Sequence, residues 1–171
     1  MNLVKELLSK QSKSRKDKIV DYIGSNPKRF GQLIKLFLAG PYRVTQRASW
    51  PLSYCVQQYP QLITPYLKKL LAVISSDNPP EAAKRNIYRT LQFTSIPKSL
   101  QGRTYELATA TVATPSEAIA VRVFALTVAG NIAKENPDLR NEIRLIIEDQ
   151  LPYGSAGFVS RSKKILKALK H

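Results

Sequence analysis

The residue types that most often carry catalysis are nearly missing from this chain, and cations stand in their place. The only histidine is His171, the last residue, which leaves no histidine triad, histidine metal site or histidine general base to build. The only cysteine, Cys55, permits neither an internal disulfide nor a cysteine metal cluster, and this fits a reducing compartment. Glycine is scarce, and none of it forms a phosphate-cradling loop. Asp77, Asp149 and the glutamates fall at expected helix ends or on exposed faces. No cofactor, no metal and no small-molecule substrate is inferred, and the residues favour binding over catalysis.

The charge is the unusual quantity. The 171 residues hold 27 Lys and Arg against 12 Asp and Glu, a net charge of +15. Such a field attracts polyanions: acidic protein surfaces, nucleic acid or an anionic membrane. Both ends are basic. The first run is Lys10, Lys13, Arg15, Lys16 and Lys18; the second is Arg161, Lys163, Lys164, Lys167 and Lys170. Either run suits docking on a polyanion or a polar cap that blocks end-to-end stacking. Four arginines recur: Arg47, Arg85, Arg122 and Arg161 are spaced 38, 37 and 39 residues apart, each three residues after an apolar one. A recurrence in register with the core pattern favours a stacking role, in which each arginine binds a carboxylate or helix-end carbonyls of a neighbouring repeat.

The elements that must position these cations are helices. Pro60, Pro97 and Pro137 form a second series, offset from the arginines and spaced by 37 and 40 residues. Two interleaved start signals with a period near 38 describe a helix–turn–helix repeat. Asn78-Pro79-Pro80-Glu81 and Thr114-Pro115-Ser116-Glu117 read as capping boxes, with Asn26-Pro27 and Asn136-Pro137 as simpler starts. Between the starts the apolar residues keep helical period, as in Ile63, Leu67, Leu70, Leu71 and Ile74, or Ile119, Val123, Leu126, Ala129 and Ile132. No alternating run and no hairpin dipeptide favours strands.

These signals predict a short helix at about 2–10 and helices at 13–24, 27–39, 41–58, 60–75, 79–94, 97–113, 115–134, 137–150 and 155–170. The fold expected is all-α: a right-handed α-solenoid of antiparallel helix pairs, counted as about eight or nine helices, with no β-sheet. The whole chain, 1–171, is expected to form one domain. Its repeats span about 12–40, 41–76, 78–113 and 114–151, closed by a capping helix at 155–170. Pairs of this kind bury too little apolar surface to stand alone and share a core by stacking. A membrane-spanning helix needs about 20 apolar residues. The longest apolar stretch, Ala118 to Ala129, is interrupted by Arg122. No span is expected, and the expected location is the cytoplasm.

The stretch Pro41-Tyr-Arg-Val-Thr-Gln-Arg-Ala-Ser-Trp-Pro-Leu52, followed by Tyr59-Pro-Gln-Leu-Ile-Thr-Pro-Tyr-Leu-Lys-Lys-Leu-Leu71, resembles a HEAT repeat. It carries V-x-x-R-A on the first helix and P-x-L-x-x-P-x-L-x-x-L-L on the second. Pro115 to Ile147 is similar, with Arg122 and Ala125, whereas the Thr-rich segment Leu100 to Val112 departs most. The resemblance implies a kink at Pro51 and a concave face lined by second helices, and it implies no particular chemistry. On such a face the second-helix cations Lys68, Lys69, Lys98, Arg103, Arg140 and Arg144 are the candidate partner-binding residues; a solvated helix face is the plainer use for them.

Two enzyme families bear comparison. Thr94-Ser95-Ile96-Pro97-Lys98-Ser99 loosely resembles the S-S-x-M-P-x-K-x-N signature of the fumarase and adenylosuccinate lyase superfamily. It lacks the Met and the residue between Pro and Lys, on a chain far too short for that fold. The HEAT-like DNA glycosylases of alkylation repair are similar in fold and charge, but they need a cleft carboxylate flanked by aromatics, which the sequence does not place. Tyr42, Trp50, Tyr54, Tyr59, Tyr66, Tyr88 and Tyr105 could stack on bases, although Trp50 and Tyr54, four apart, fit core packing. The leading expectation is a non-catalytic scaffold that holds an acidic protein or peptide through its concave face and basic ends. The alternative is nucleic-acid binding, with or without repair chemistry.

Overall fold

A computed structural model describes residues 1–170; the histidine at 171 lies outside the described residues. Among these the chain is entirely helical, with ten α-helices and no strand. Each falls within or close to one of the ten expected segments, including the six-residue α1, Leu3–Leu8. The chain divides into two compact units, Met1–Leu67 and Lys68–His171.

In the first unit, α2 spans Lys13–Ile23, α3 Pro27–Ala39 and α4 Tyr42–Gln58, followed by a 3₁₀ segment at Pro60–Tyr66. The starts follow local rules. Ser12 Oγ accepts from the Arg15 N–H, and Asn26 Oδ1 accepts from the N–H groups of Lys28 and Arg29 with Pro27 at the first helical position. Gly24, at φ 47°, ends α2 in a conformation that other residues rarely adopt. The hub is α4, which packs on α1, α2, α3 and the 3₁₀ segment. It packs most extensively on α3, to which it is joined through Gly40 and Pro41 alone. Phe30, Leu33, Ile34 and Phe37 of α3 meet Val44, Ala48, Leu52, Cys55 and Val56 of α4 in a core that excludes water. Pro51 lies inside α4, where it cannot donate to the carbonyl one turn back. Gly31 leaves room for Tyr66, since a Cβ there would sit 2.8 Å from the Tyr66 hydroxyl and oblige that side chain to shift.

In the second unit, α5 (Leu67–Ile74, beginning on the last residue of the first unit) precedes α6 (Glu81–Leu91), α7 (Lys98–Val112), α8 (Ile119–Glu135), α9 (Arg140–Gln150) and α10 (Ala156–Ala168). Here α8 is the hub, packing on α6, α7, α9 and α10, most extensively on α7. Surrounded in this way, α8 buries Val121, Ala125, Leu126, Val128, Ala129, Ile132 and Ala133, which spread around its circumference. The single apolar stripe expected for it is therefore incomplete: Ile119, placed on that stripe, is 56% exposed. Thr-rich α7 packs well because its threonines satisfy themselves. Thr104, Thr109 and Thr111 donate to the carbonyls of Leu100, Tyr105 and Leu107, one turn back, and so present methyl groups to the core.

Three expected starts move inward. The helix expected at 115 begins at Ile119, because Glu117 caps nothing and instead ion-pairs with Lys84 of α6. The start expected at 79 falls at Glu81, preceded by Pro80 and without a side-chain cap. Asn136 does not cap either. Its Nδ2 donates to Gln101 Oε1 at 2.8 Å and to the Ile132 carbonyl, tying α7 to the end of α8, and Pro137–Leu139 forms a 3₁₀ turn before α9 begins at Arg140.

Candidate partner-binding groove

The periodic arginines face inward, onto neighbouring helices. Arg47 Nη1 donates to the carbonyls of Leu7, Leu8 and Ser9 at 3.1, 2.7 and 3.0 Å, where α1 has run out of internal donors. Arg122, only 7% exposed, donates from Nε to the Val112 carbonyl at the end of α7 (3.0 Å) and from Nη2 to Gln150 Oε1 (2.7 Å), with its guanidinium 4.9 Å from the Phe158 ring centre. Gln150 in turn donates to Asp149, which draws a carboxylate into the same chain of bonds. Arg161 donates to Thr127 Oγ1 at 2.6 Å and Gln92 Oε1 at 3.4 Å, so α10 is pinned to α8 and to the end of α6. Arg85 alone makes no side-chain hydrogen bond or ion pair among the described residues, so the pattern does not have a uniform use.

The N-terminal basic run is also largely engaged within its own unit. Arg15 and Lys18 flank Glu6 at 2.8 and 2.9 Å, and the Lys18 hydrogen bond leads in holding that carboxyl below its ordinary range. Lys16 is buried, paired with Asp17 and 3.6 Å from the centre of the Tyr54 ring. Cys55 is a fully buried apolar filler, and burial pushes its thiol up to about 12. Burial likewise raises the phenols of Tyr88 and Tyr105, which bond to the carbonyls of Leu107 and Leu139. Those two rings belong to the core and are closed to base stacking.

All six candidate cations lie in the second unit, and the structure brings only two of them into one groove. Lys68 and Lys69 are exposed on the first turn of α5, and Lys98 is exposed at the first position of α7. Arg103 is exposed but turned back on its own helix, 3.1 Å from Glu106. Arg140 and Arg144 line a groove of about 610 Å³ between α9 and α10. It exists because α9 and α10 each pack on α8 more than on each other. Arg140 is half-buried and closes the end of α8 by donating to the carbonyls of Ala133 and Lys134 at 3.4 and 3.1 Å. Arg144 is exposed and donates to Asn141 Oδ1 at 2.6 Å. The far wall brings Leu166, Leu169 and Lys170, and Glu148 adds one carboxylate. Lys170 is missed as a groove residue from sequence, where it reads as one of five end cations. The available signal was the three- and four-residue spacing of Leu169 and Lys170 from Leu166, although both lie just past Ala168, where α10 ends.

A second cavity, of about 350 Å³, opens beside the starts of α8 and α10, lined by Glu117, Arg122, Tyr153 and Phe158 among others. It does place a carboxylate near aromatics. That carboxylate is held by Lys84, and Tyr153 is 83% exposed. No group of three or more His, Cys, Asp or Glu suited to a metal occurs among the described residues, and no described helix is long and apolar enough to cross a membrane.

An all-helical chain with a period near 38 residues and arginines closing helix ends defines a helical-repeat protein of the α-solenoid class. The chain belongs to the HEAT repeat family: the family model described as HEAT repeat domain matches residues 3–169. No curated protein and no solved structure matches the chain. HEAT repeats are protein-interaction modules, and a protein-interaction scaffold is the function class the family carries.

Proposed function

We propose that this chain is a non-catalytic scaffold that binds an acidic protein or peptide through the cations of its second helices and its C-terminal end. The observation that carries the reading is the imbalance left after folding. Among the described residues, five of the 27 Lys and Arg side chains lie in ion pairs, and the other 22 show no carboxylate within 4.0 Å. Some of these, such as Arg47 and Arg122, are taken up by helix-end carbonyls. Lys68, Lys69, Lys98, Arg144, Lys163, Lys164, Lys167 and Lys170 are exposed and, among the described residues, carry no side-chain bond except that of Arg144 to Asn141. Cations left exposed on a rigid frame favour encounter with an opposite charge and fix its register. The cytoplasm, with its reduced thiols, is the setting proposed for this binding.

The test is fluorescence anisotropy of the chain with a labelled Glu-rich peptide, a duplex DNA and a single-stranded RNA of matched length, across a salt series. The scaffold reading expects the peptide to bind more tightly than either polynucleotide at moderate salt. It also expects Lys68→Glu with Lys69→Glu, or Arg144→Glu, to weaken that binding. Polynucleotide binding that dominates and falls log-linearly with salt would replace it with the nucleic-acid reading.

A further inference from the structure

We propose that the groove between α9 and α10 seats one amphipathic helix of a partner protein, and that its contact face carries carboxylates at positions i and i+4 and a basic residue at i+8. This deepens the acidic-partner reading and rests on it. Arg140, Arg144 and Glu148 all line the groove, and they lie four residues apart on α9. A helix rises about 1.5 Å per residue, so the three charges stand roughly 6 Å apart along one wall. A second helix laid alongside presents its own i, i+4 and i+8 side chains at the same interval, in either direction. Lys170 strengthens the cationic part from the opposite wall, while Leu166 and Leu169 supply apolar surface for residues between the charges.

The occupant is a helix because of what the walls lack. The backbones of α9 and α10 are bonded internally along their lengths. An extended peptide pressed against Leu166 and Leu169 would therefore bury its own N–H and C=O groups without partners, at a cost that a helix avoids. Two helices with a furrow between them also suit ridges-into-grooves packing by a third. A polynucleotide fits poorly, because a continuous phosphate chain would set a charge against Glu148 and gain nothing from the leucines. A second copy fits poorly as well. Within a single α-helix of this chain, only Lys13, Asp17 and Asp21 of α2 show the reciprocal order. There Asp17 is engaged by Lys16, and each copy carries a net charge of +15.

The experiment uses the full chain and a labelled helical peptide with Glu at i and i+4, Lys at i+8 and Leu at i+3 and i+7, read by fluorescence anisotropy. A permuted peptide, with Glu at i and i+8 and Lys at i+4, has the same composition, mismatches the wall in either direction and serves as the comparison. The matched peptide is expected to bind at least about tenfold more tightly, a difference of about 1.4 kcal/mol. Arg144→Glu should abolish that preference, and a peptide with Lys at i+4 should restore binding to the variant. Glu148→Lys should invert the preference at i+8. Both positions are exposed, and circular dichroism verifies the fold. If the two peptides bind alike and only Lys68→Glu with Lys69→Glu weakens them, the groove inference fails while the acidic-partner reading stands. If neither peptide binds at low salt, both fail. If the chain self-associates on sedimentation and Arg144→Glu disperses it, the occupant is a second copy and the inference is overturned.

Discussion

Arg122 is where the stacking role assigned to the periodic arginines can be measured. Its guanidinium is 7% exposed, bonds Val112 and Gln150 at 3.0 and 2.7 Å, and lies over Phe158. Arg122→Met keeps the aliphatic stem and removes the fork. A hydrogen bond from a charged donor contributes about 1.5–3 kcal/mol, and a desolvated cation–π contact up to about 2. Against this, replacing a buried cation with an apolar side chain removes a desolvation penalty of several kcal/mol. The Val112 carbonyl and the Gln150 side chain nevertheless remain in place without their donor, so the net expectation is a loss of about 3 kcal/mol, a large part of the 5–15 kcal/mol typical of a domain. Urea denaturation followed by circular dichroism reads it directly. Arg122→Lys, which keeps the charge but not the planar fork, should lose about 2 kcal/mol. Arg85→Met is the internal control: Arg85 occupies the same register without a bonded partner, and its replacement should cost under about 1 kcal/mol. The reasoning is refuted if Arg122→Met falls within about 0.5 kcal/mol of the parent, or if Arg85 and Arg122 cost the same.

Three further outcomes follow from the packing. The Cys55 thiol, raised to about 12 by burial, should react with a thiol reagent at pH 8 only after denaturant is added; rapid native-state labelling would show that α4 opens. Because the folded value lies above the unfolded one, the stabilisation is complete below about pH 8.5 and drains as pH rises toward about 12, at up to about 1.4 kcal/mol per pH unit, which a urea series at pH 8, 9.5 and 10.5 measures. Gly130 lets α10 approach α8, and a Cβ there would sit 2.9 Å from Ile165 Cγ2. Gly130→Ala should cost about 1–3 kcal/mol, and Ile165→Ala should recover part of it in a double-mutant cycle; simple additivity would place the clash elsewhere. Breaking the Lys84–Glu117 pair, partly buried on both sides, with Glu117→Gln should lower the melting temperature measurably, whereas Glu106→Gln, whose pair with Arg103 is exposed, should leave it unchanged.

How much of this was legible in the sequence depends on whether the deciding partner is local. The start of α3 was legible at Asn26-Pro27 because the donors it satisfies are two and three residues away. Thr114-Pro115-Ser116-Glu117 carries the same signature and was misleading, because Glu117 is claimed by Lys84, 33 residues earlier. No rule confined to one turn can weigh that competitor. The same limit governs Ile119, whose place on an apolar stripe gave no hint that α8 would be enclosed by helices on several sides. It governs the groove too: Arg140 and Arg144 share a face of α9 by spacing alone, but Lys170 and Leu169 join them only because α8 holds α10 away from α9.

The cations nonetheless sort by a property visible before folding. Those in register with the repeat recur because every repeat has the same ends to close, and three of the four, Arg47, Arg122 and Arg161, bond carbonyls or neutral side chains of adjacent helices. A helix end presents carbonyls and a partial negative charge wherever it occurs, so a cation that answers it must recur with the helices. Cations that break the period, such as Lys68, Lys98 and Arg144, answer no such demand, and folding leaves them exposed. Arg140 is the informative exception. It is off the arginine period yet caps α8 while lining the groove. Its loss should therefore lower both stability and peptide affinity, whereas Arg144→Ala should lower affinity alone. That separation of two readouts on one wall of one groove distinguishes a binding surface from a merely basic one.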